Sequence, residues 1–312
     1  MLLSEYDNLT RWNGRERPFY EVYYLKLNEP SNGVALWFRY TFLSPSVGTP
    51  SASVWAIFNS KKAGDNLALK NTFAMSEVAY HKTKFGLNLG GSILRNDHAS
   101  GIVRDNANVI SWNIGWRPLD SSIRQYPSLL YITPWPATKV VTPNPAVIAS
   151  GFFEVNGIRY EVESSPLYQG HTWGRCYSNG WAWANCQNFA EDKSAILELV
   201  AQPSFGLGYL KIGQKKMRLF LRGRYNRTSW EFNGRAFGKK IEGRISTFSQ
   251  NIIGITYHNP CGGKRYCYNT NIADVAVKLY EKKKGKWNLA HELTSAGTAS
   301  FETVTSRPYQ DL

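Results

Sequence analysis

Trp181-Ala182-Trp183-Ala184-Asn185-Cys186-Gln187-Asn188-Phe189 alternates large and small side chains along its length. A strand with that pattern presents Trp181, Trp183, Asn185, Gln187 and Phe189 on one face, and Ala182, Ala184, Cys186 and Asn188 on the other. The first face mixes bulky aromatics with uncharged amides. That combination suits a ligand cavity, where apolar walls supply affinity and a few polar groups fix orientation. A barrel core in which the indole N–H groups bond to the amides is the plainer alternative.

The same period of two runs outward in both directions. Before this stretch it predicts strands from Tyr20–Lys26 through Val34–Leu43, Ser53–Asn59 and Val109–Trp116 to Leu129–Thr133, then a hairpin from Val147 to Glu163 turning at Asn156-Gly157. After it come further strands, among them Ala195–Ala201, Met217–Arg222 and Ala273–Glu281. Short helical pieces are expected only near Ser121–Arg124 and in the last fifteen residues. Pro134-Trp135-Pro136 and Pro143-Asn144-Pro145 read as an irregular connection over a barrel mouth, because proline cannot serve a central strand. The fold class predicted is all-β, as two tandem antiparallel barrels of about eight strands each. A chain of 312 residues suits two domains, here 1–174 and 175–312.

Aromatic residues make up 14% of the chain and include 11 Trp, more than a core alone needs. The net charge of +14 raises nucleic acid as a partner, but the basic residues are dispersed and no RNA-binding signature accompanies them, so nucleic acid is set aside. Weak peripheral attraction to anionic lipid headgroups is the remaining corollary. No apolar run is long enough for a transmembrane helix, and the first residues lack a secretory pattern, so a cytoplasmic protein is expected. Cys176, Cys186, Cys261 and Cys267 fit no paired zinc spacing and read as buried free thiols. No P-loop, dinucleotide fingerprint, EF-hand spacing or Ser-His-Asp arrangement is found.

His171-Thr172-Trp173-Gly174 places an imidazole, able to move a proton near neutral pH, beside an indole whose face can stabilise a developing cation. Two buried-acid candidates accompany it. Glu198 lies in Ala195-Ile196-Leu197-Glu198-Leu199-Val200 and is either a carboxyl kept neutral by burial or a solvent-facing residue. Glu21 is set among Phe19, Tyr20, Tyr23 and Tyr24, with Tyr23 a candidate wall residue. A glutamate so placed can equally anchor backbone groups.

Taken together, Gly170-His171-Thr172-Trp173-Gly174, the Trp181–Phe189 strand, the N-terminal Arg17–Leu27 element, Gly151–Tyr160 and the late Cys267–Leu279 strand resemble the tocopherol cyclase family. Its wider relatives are carotenoid 1,2-hydratases and fungal lipocalin-like Diels-Alderases. The resemblance implies two lipocalin-like domains, an active site at or near their interface, and no metal or redox cofactor. It also implies protonation of an isoprenoid double bond with capture of the cation by an internal hydroxyl or water, or folding of a polyene for pericyclic closure. On this resemblance His171 and Trp173 occupy the catalytic HxW region, and Glu198 stands near the hydratases' Asp. The function expected is a cofactor-free cyclase or hydratase acting on an apolar prenylated or polyene molecule. A pericyclase and a non-catalytic lipid or pigment carrier are the alternatives.

Overall fold

A computed structural model describes residues 1–62, 64–203 and 205–309. A short helix, α1 (Leu3–Asn8), precedes the first sheet, which comprises β1 (Phe19–Glu29), β2 (Val34–Ser44), β3 (Ser51–Ser60), β4 (Leu67–Ala74), β5 (Val78–Tyr80), β6 (Leu87–Leu89), β7 (Ser92–Leu94), β8 (His98–Arg104), β9 (Val109–Trp116), β10 (Ile123–Arg124), β11 (Thr138–Val155) and β12 (Ile158–Gly174). The second sheet comprises β13 (Trp181–Cys186), β14 (Ile196–Ala201), β15 (Gly206–Ile212), β16 (Lys215–Tyr225), β17 (Ser229–Ala236), β18 (Lys239–Ser246), β19 (Ile253–His258), β20 (Lys264–Lys283) and β21 (Lys286–Thr305). The protein is all-β, with two lipocalin-like antiparallel barrels in tandem.

In the second barrel β18 pairs with β20, closing a ring of eight strands with β19 on its outside. The first sheet runs β4-β3-β2-β1-β12-β11-β9-β8-β7-β6-β5 and is nearly closed. At its open seam the Asn71 amide replaces the missing ladder. Its Nδ2 donates to the Arg104 carbonyl at 2.8 Å and its Oδ1 accepts from the Arg104 N–H at 3.0 Å. Both interiors are filled by side chains, including Phe38, Trp112 and Phe153 in the first and Leu197, Trp230 and Phe232 in the second.

Burial along the strands shows where the barrels meet. β16 alternates buried and exposed residues, as a strand with one wet face should, whereas β1, β2 and β3 are buried almost throughout. Their outer face is covered by the second barrel. Lys26 Nζ donates to the Thr298 carbonyl at 2.7 Å and Asn28 Nδ2 to the Asn271 carbonyl at 2.9 Å across this junction.

Several local expectations are corrected. Leu129–Thr133 is not a strand, because Ser128–Tyr131 forms a 3-10 turn. Pro143 and Pro145 do lie within a strand, β11, where the pairing with β12 shifts register around Asn144, and such bulges tolerate proline. The helix falls at Leu3–Asn8, not near residue 121; β21 continues to Thr305, and residues 310–312 lie outside the described residues. Cys176 and Cys261 form a disulfide with Cα atoms 5.6 Å apart, joining the segment between the barrels to the turn before β20. Cys186 and Cys267 are the buried free thiols. Among the described residues no helix is long and apolar enough to cross a membrane.

Candidate functional site

The parity of β1 and β12 separates two polar clusters. Glu21, Tyr23, His171 and Trp173 turn into the first barrel, whereas Tyr20, Val22, Tyr24 and Thr172 turn toward the second. At the end of the first barrel, Glu21 Oε1 accepts from the Arg11 N–H at 2.8 Å and the Tyr23 hydroxyl at 2.7 Å, and it lies 2.9 Å from His171 Nε2. Its Oε2 accepts from the Trp12 N–H at 2.8 Å. His171 Nδ1 lies 2.6 Å from the Asp7 carbonyl, which can only accept, so this nitrogen carries a proton. Tyr23 stacks on the imidazole with centroids 4.2 Å apart. Glu21 and His171 are fully buried and together pin the N-terminal segment onto the barrel as a plug.

Between the barrels lies a cavity of about 130 Å³ walled by Tyr20, Tyr24, Trp37, Tyr177, Trp181, Trp183 and Tyr257, with Arg39 and Glu302 as its charged members. Register explains the convergence: Trp183 pairs with Val200 on one side and Glu302 on the other, so all three share the outward face of the second barrel. Glu302 accepts from Trp181 Nε1 at 2.9 Å, the Tyr257 hydroxyl at 3.1 Å and Cys267 Sγ at 3.2 Å. Arg39 donates to Thr41 Oγ1 and to the Tyr177 hydroxyl, both at 2.9 Å, and its guanidinium lies 4.2 Å from the Tyr257 ring centroid. Burial alone would lower the Arg39 pKa, but Tyr177, Tyr257 and Glu302 outweigh it and hold the group charged.

Behind the aromatic wall Glu198, fully buried on β14, meets the first barrel. The Tyr168 hydroxyl donates to its Oε1 at 2.8 Å, and Thr142 Oγ1 lies 2.9 Å from both of its oxygens. Burial pushes the Glu198 pKa up, opposed by these hydrogen bonds, so the carboxyl favours its neutral form more than an exposed one does. Tyr168 in turn packs against Tyr24, ring centroids 5.9 Å apart, and Tyr24 lines the cavity. A cavity wall is thereby connected to a buried acid.

The glycines of the Gly170–Gly174 element serve this arrangement. A Cβ at Gly170 would overlap the Tyr24 ring, and one at Gly174 would overlap the Ala137 carbonyl. The element exists so that Tyr24 can lie flat on β12 and the chain leading into β11 can approach.

With this geometry in place, the comparisons with known proteins become informative. The family described as tocopherol cyclase-like matches residues 136–206, which span β11, β12, β13 and β14 and carry Thr138, Thr142, Tyr168, Trp181, Trp183 and Glu198. That segment is similar to the tocopherol cyclase-like family. Two uncharacterized Mycobacterium tuberculosis proteins, MT0513 of strain CDC 1551 and Rv0493c of strain H37Rv, are each 22% identical over 314 residues, covering 94% of this chain and 91% of the relative. In fold, the chain is similar to a protein provisionally assigned as AttH from Nitrosomonas europaea, with a TM-score of 0.58, 11% identity, and coverage of 95% of this chain and 94% of that one.

The sequence-derived candidates divide between two places. Trp181 and Trp183 line the cavity, and Glu198 stands behind it. Asn185 faces the same junction but donates to the Leu197 carbonyl at 3.1 Å, and Gln187 donates to the Pro145 carbonyl at 2.6 Å. Phe189 departs from the alternation because β13 ends at Cys186, and its ring packs in the second barrel's core. His171, Trp173, Glu21 and Tyr23 gather at the plug, apart from the cavity lining. Sequence reasoning missed Arg39, Tyr177, Tyr257 and Glu302. For Glu302 a signal existed, an acid inside the alternating Ala299-Ser300-Phe301-Glu302-Thr303-Val304 strand, but nothing marked that strand as the neighbour of Trp183.

Proposed function

We propose that this protein binds an apolar small molecule between its barrels and acts on it as a cyclase or hydratase, with Glu198 as the source of the proton. The tocopherol cyclase-like segment and the lipocalin-like fold support the coarser statement, a cyclase- or hydratase-like or ligand-binding role. The observation that carries the finer one is a buried carboxyl, held toward its neutral form, connected through Tyr168 and Tyr24 to an aromatic cavity.

In this reading the Tyr168 hydroxyl, which donates to Glu198 at rest, turns to take the carboxyl proton as it passes its own to Tyr24, and Tyr24 delivers its proton to an alkene carbon in the same shift. The cation formed is stabilised by the faces of Trp181 and Trp183. A hydroxyl of the ligand, or water, then bonds to the cationic carbon and returns its own proton along the same path, so Glu198 ends as it began. A cavity of about 130 Å³ is close to the size of an apolar engineered cavity that binds benzene, so it holds a ring-sized portion of a ligand while the rest leaves through the mouth.

Native mass spectrometry of the purified chain would identify a retained ligand, and turnover of that ligand in D₂O would test the chemistry. One solvent deuterium on carbon in the product is the expected result. Turnover without deuterium would replace protonation by pericyclic closure, and a ligand returned unchanged would make the protein a carrier.

A further inference from the structure

Residues 127–137 leave and rejoin the fold at two cavity-lining residues, Tyr126 and Thr138. The segment between them turns three large apolar side chains outward: Leu129 is 67% exposed, Ile132 83% and Trp135 70%. Its backbone is held in this shape, since Thr133 Oγ1 donates to the Trp135 carbonyl and the Tyr131 hydroxyl to the Val140 carbonyl, both at 2.6 Å. Phe205, also exposed, reaches the same rim beside Tyr126 from the second barrel.

The groups around this tip are mainly cationic. Lys139, a buried residue, donates its Nζ to the Leu130 carbonyl at 2.5 Å and braces the loop, and the Arg124 guanidinium, paired with Asp7, lies 5.8 Å from the Tyr131 centroid. Arg218 donates to the Arg124 carbonyl at 3.2 Å, and exposed Arg175 follows Gly174, which abuts Ala137. Arg11 lies over Trp173, whose ring meets Tyr131. The acid at this rim, Asp7, is bound by Arg124 and Ser122. Asp120 accepts from the Leu3 N–H at 3.1 Å. An apolar tip with an indole, flanked by the exposed cations Arg175 and Arg218 on a chain of net charge +14, complements an anionic lipid surface.

We propose that the 127–137 loop docks this protein onto an anionic bilayer, with Leu129, Ile132 and Trp135 entering the headgroup layer and the mouth of the inter-barrel cavity facing the lipid. An apolar ligand dissolved in the membrane would then reach the cavity without crossing water. Vesicle binding needs no ligand and no turnover, so its outcome is independent of the cyclase reading.

The test is co-sedimentation of the full chain with phosphatidylcholine vesicles, with and without phosphatidylglycerol. Wild type should bind the anionic vesicles on the order of tenfold more tightly than the neutral ones, with the difference shrinking in high salt. The variant Leu129→Ser/Ile132→Ser/Trp135→Ser, checked for an unchanged circular dichroism spectrum, should lose about tenfold or more of that binding. Phe237→Ser, which removes an exposed ring from the turn between β17 and β18, should leave it unchanged. Absence of vesicle binding by wild type, equal binding by the triple variant, or an equal loss in Phe237→Ser would each overturn the proposal. So would capture of a protein partner by this loop without vesicle binding.

Discussion

The plug at the end of the first barrel and the face between the barrels both bury carboxyls among aromatics, yet they treat them differently. Both oxygens of Glu21 accept hydrogen bonds, two of them from the backbone of the segment being held, and His171 is bonded at both ring nitrogens. At the junction Glu198 accepts from the Tyr168 and Thr142 hydroxyls, while the Trp183 indole N–H and the Gln125 amide lie near its carboxyl without a hydrogen bond of ordinary geometry. A saturated buried polar cluster rigidifies. An incompletely satisfied one, next to a cavity, retains capacity for a ligand or a proton.

The largest expected effect falls on the acid. Glu198→Gln keeps the shape and removes the acidic proton, so product formation should drop by ~10²–10⁴-fold with ligand binding retained, measured by single-turnover analysis. Because the folded pKa of Glu198 is raised, its protonated form stabilises the fold at low pH and that contribution is lost as pH rises through the folded value. The difference in Tm between wild type and Glu198→Gln should therefore shift in the variant's favour as pH increases. Unchanged turnover in the variant would remove Glu198 from the mechanism and erase the distinction between the two clusters.

Next comes the plug. Glu21→Ala strands Tyr23 and two backbone N–H groups without an acceptor and removes the partner of His171 Nε2, and each buried donor so orphaned costs about 1–3 kcal/mol. Urea denaturation should show that loss, with early proteolysis within residues 1–12. If Glu21→Ala left stability intact and abolished turnover alone, the plug would be the catalytic centre.

Lys26 sharpens the contrast from the junction side, since burial pushes its ammonium down to about 8. A folded pKa below the unfolded one means that charging Lys26 opposes folding, so stability should rise by about 3 kcal/mol as pH increases from 8 toward the unfolded value. Lys26→Met should flatten that rise in urea titrations at several pH values. The smallest effect is expected for Trp183→Ala, which should weaken ligand binding by about ten- to a hundredfold, by analogy with loss of a buried aromatic contact. Fluorescence titration would read it, and an unchanged affinity would place the ligand elsewhere.

Much of this was readable in advance. The Trp181–Trp183 face, the Asn156-Gly157 turn and the succession of strands follow from side-chain alternation, which depends only on neighbours in the chain. The parity of β1 was readable as a pattern but not as a direction. Phe19-Tyr20-Glu21-Val22-Tyr23-Tyr24 offers aromatics on both faces, and only the packing tells that Tyr20 and Tyr24 meet the ligand cavity while Tyr23 meets His171. The disulfide escaped for a similar reason: Cys176 and Cys261 are 85 residues apart and meet only because a connecting segment and a turn converge.

By itself, then, the sequence determined that this chain folds as two antiparallel barrels and that the Trp181–Cys186 strand carries an aromatic face, because strand periodicity and turn chemistry are local. Only the tertiary structure decided that this face lies outside its own barrel, against β1 and β2, and that Arg39, Glu302 and Glu198 converge there. Their meeting depends on strand register and on the docking of one curved sheet against another, which no neighbouring residues encode.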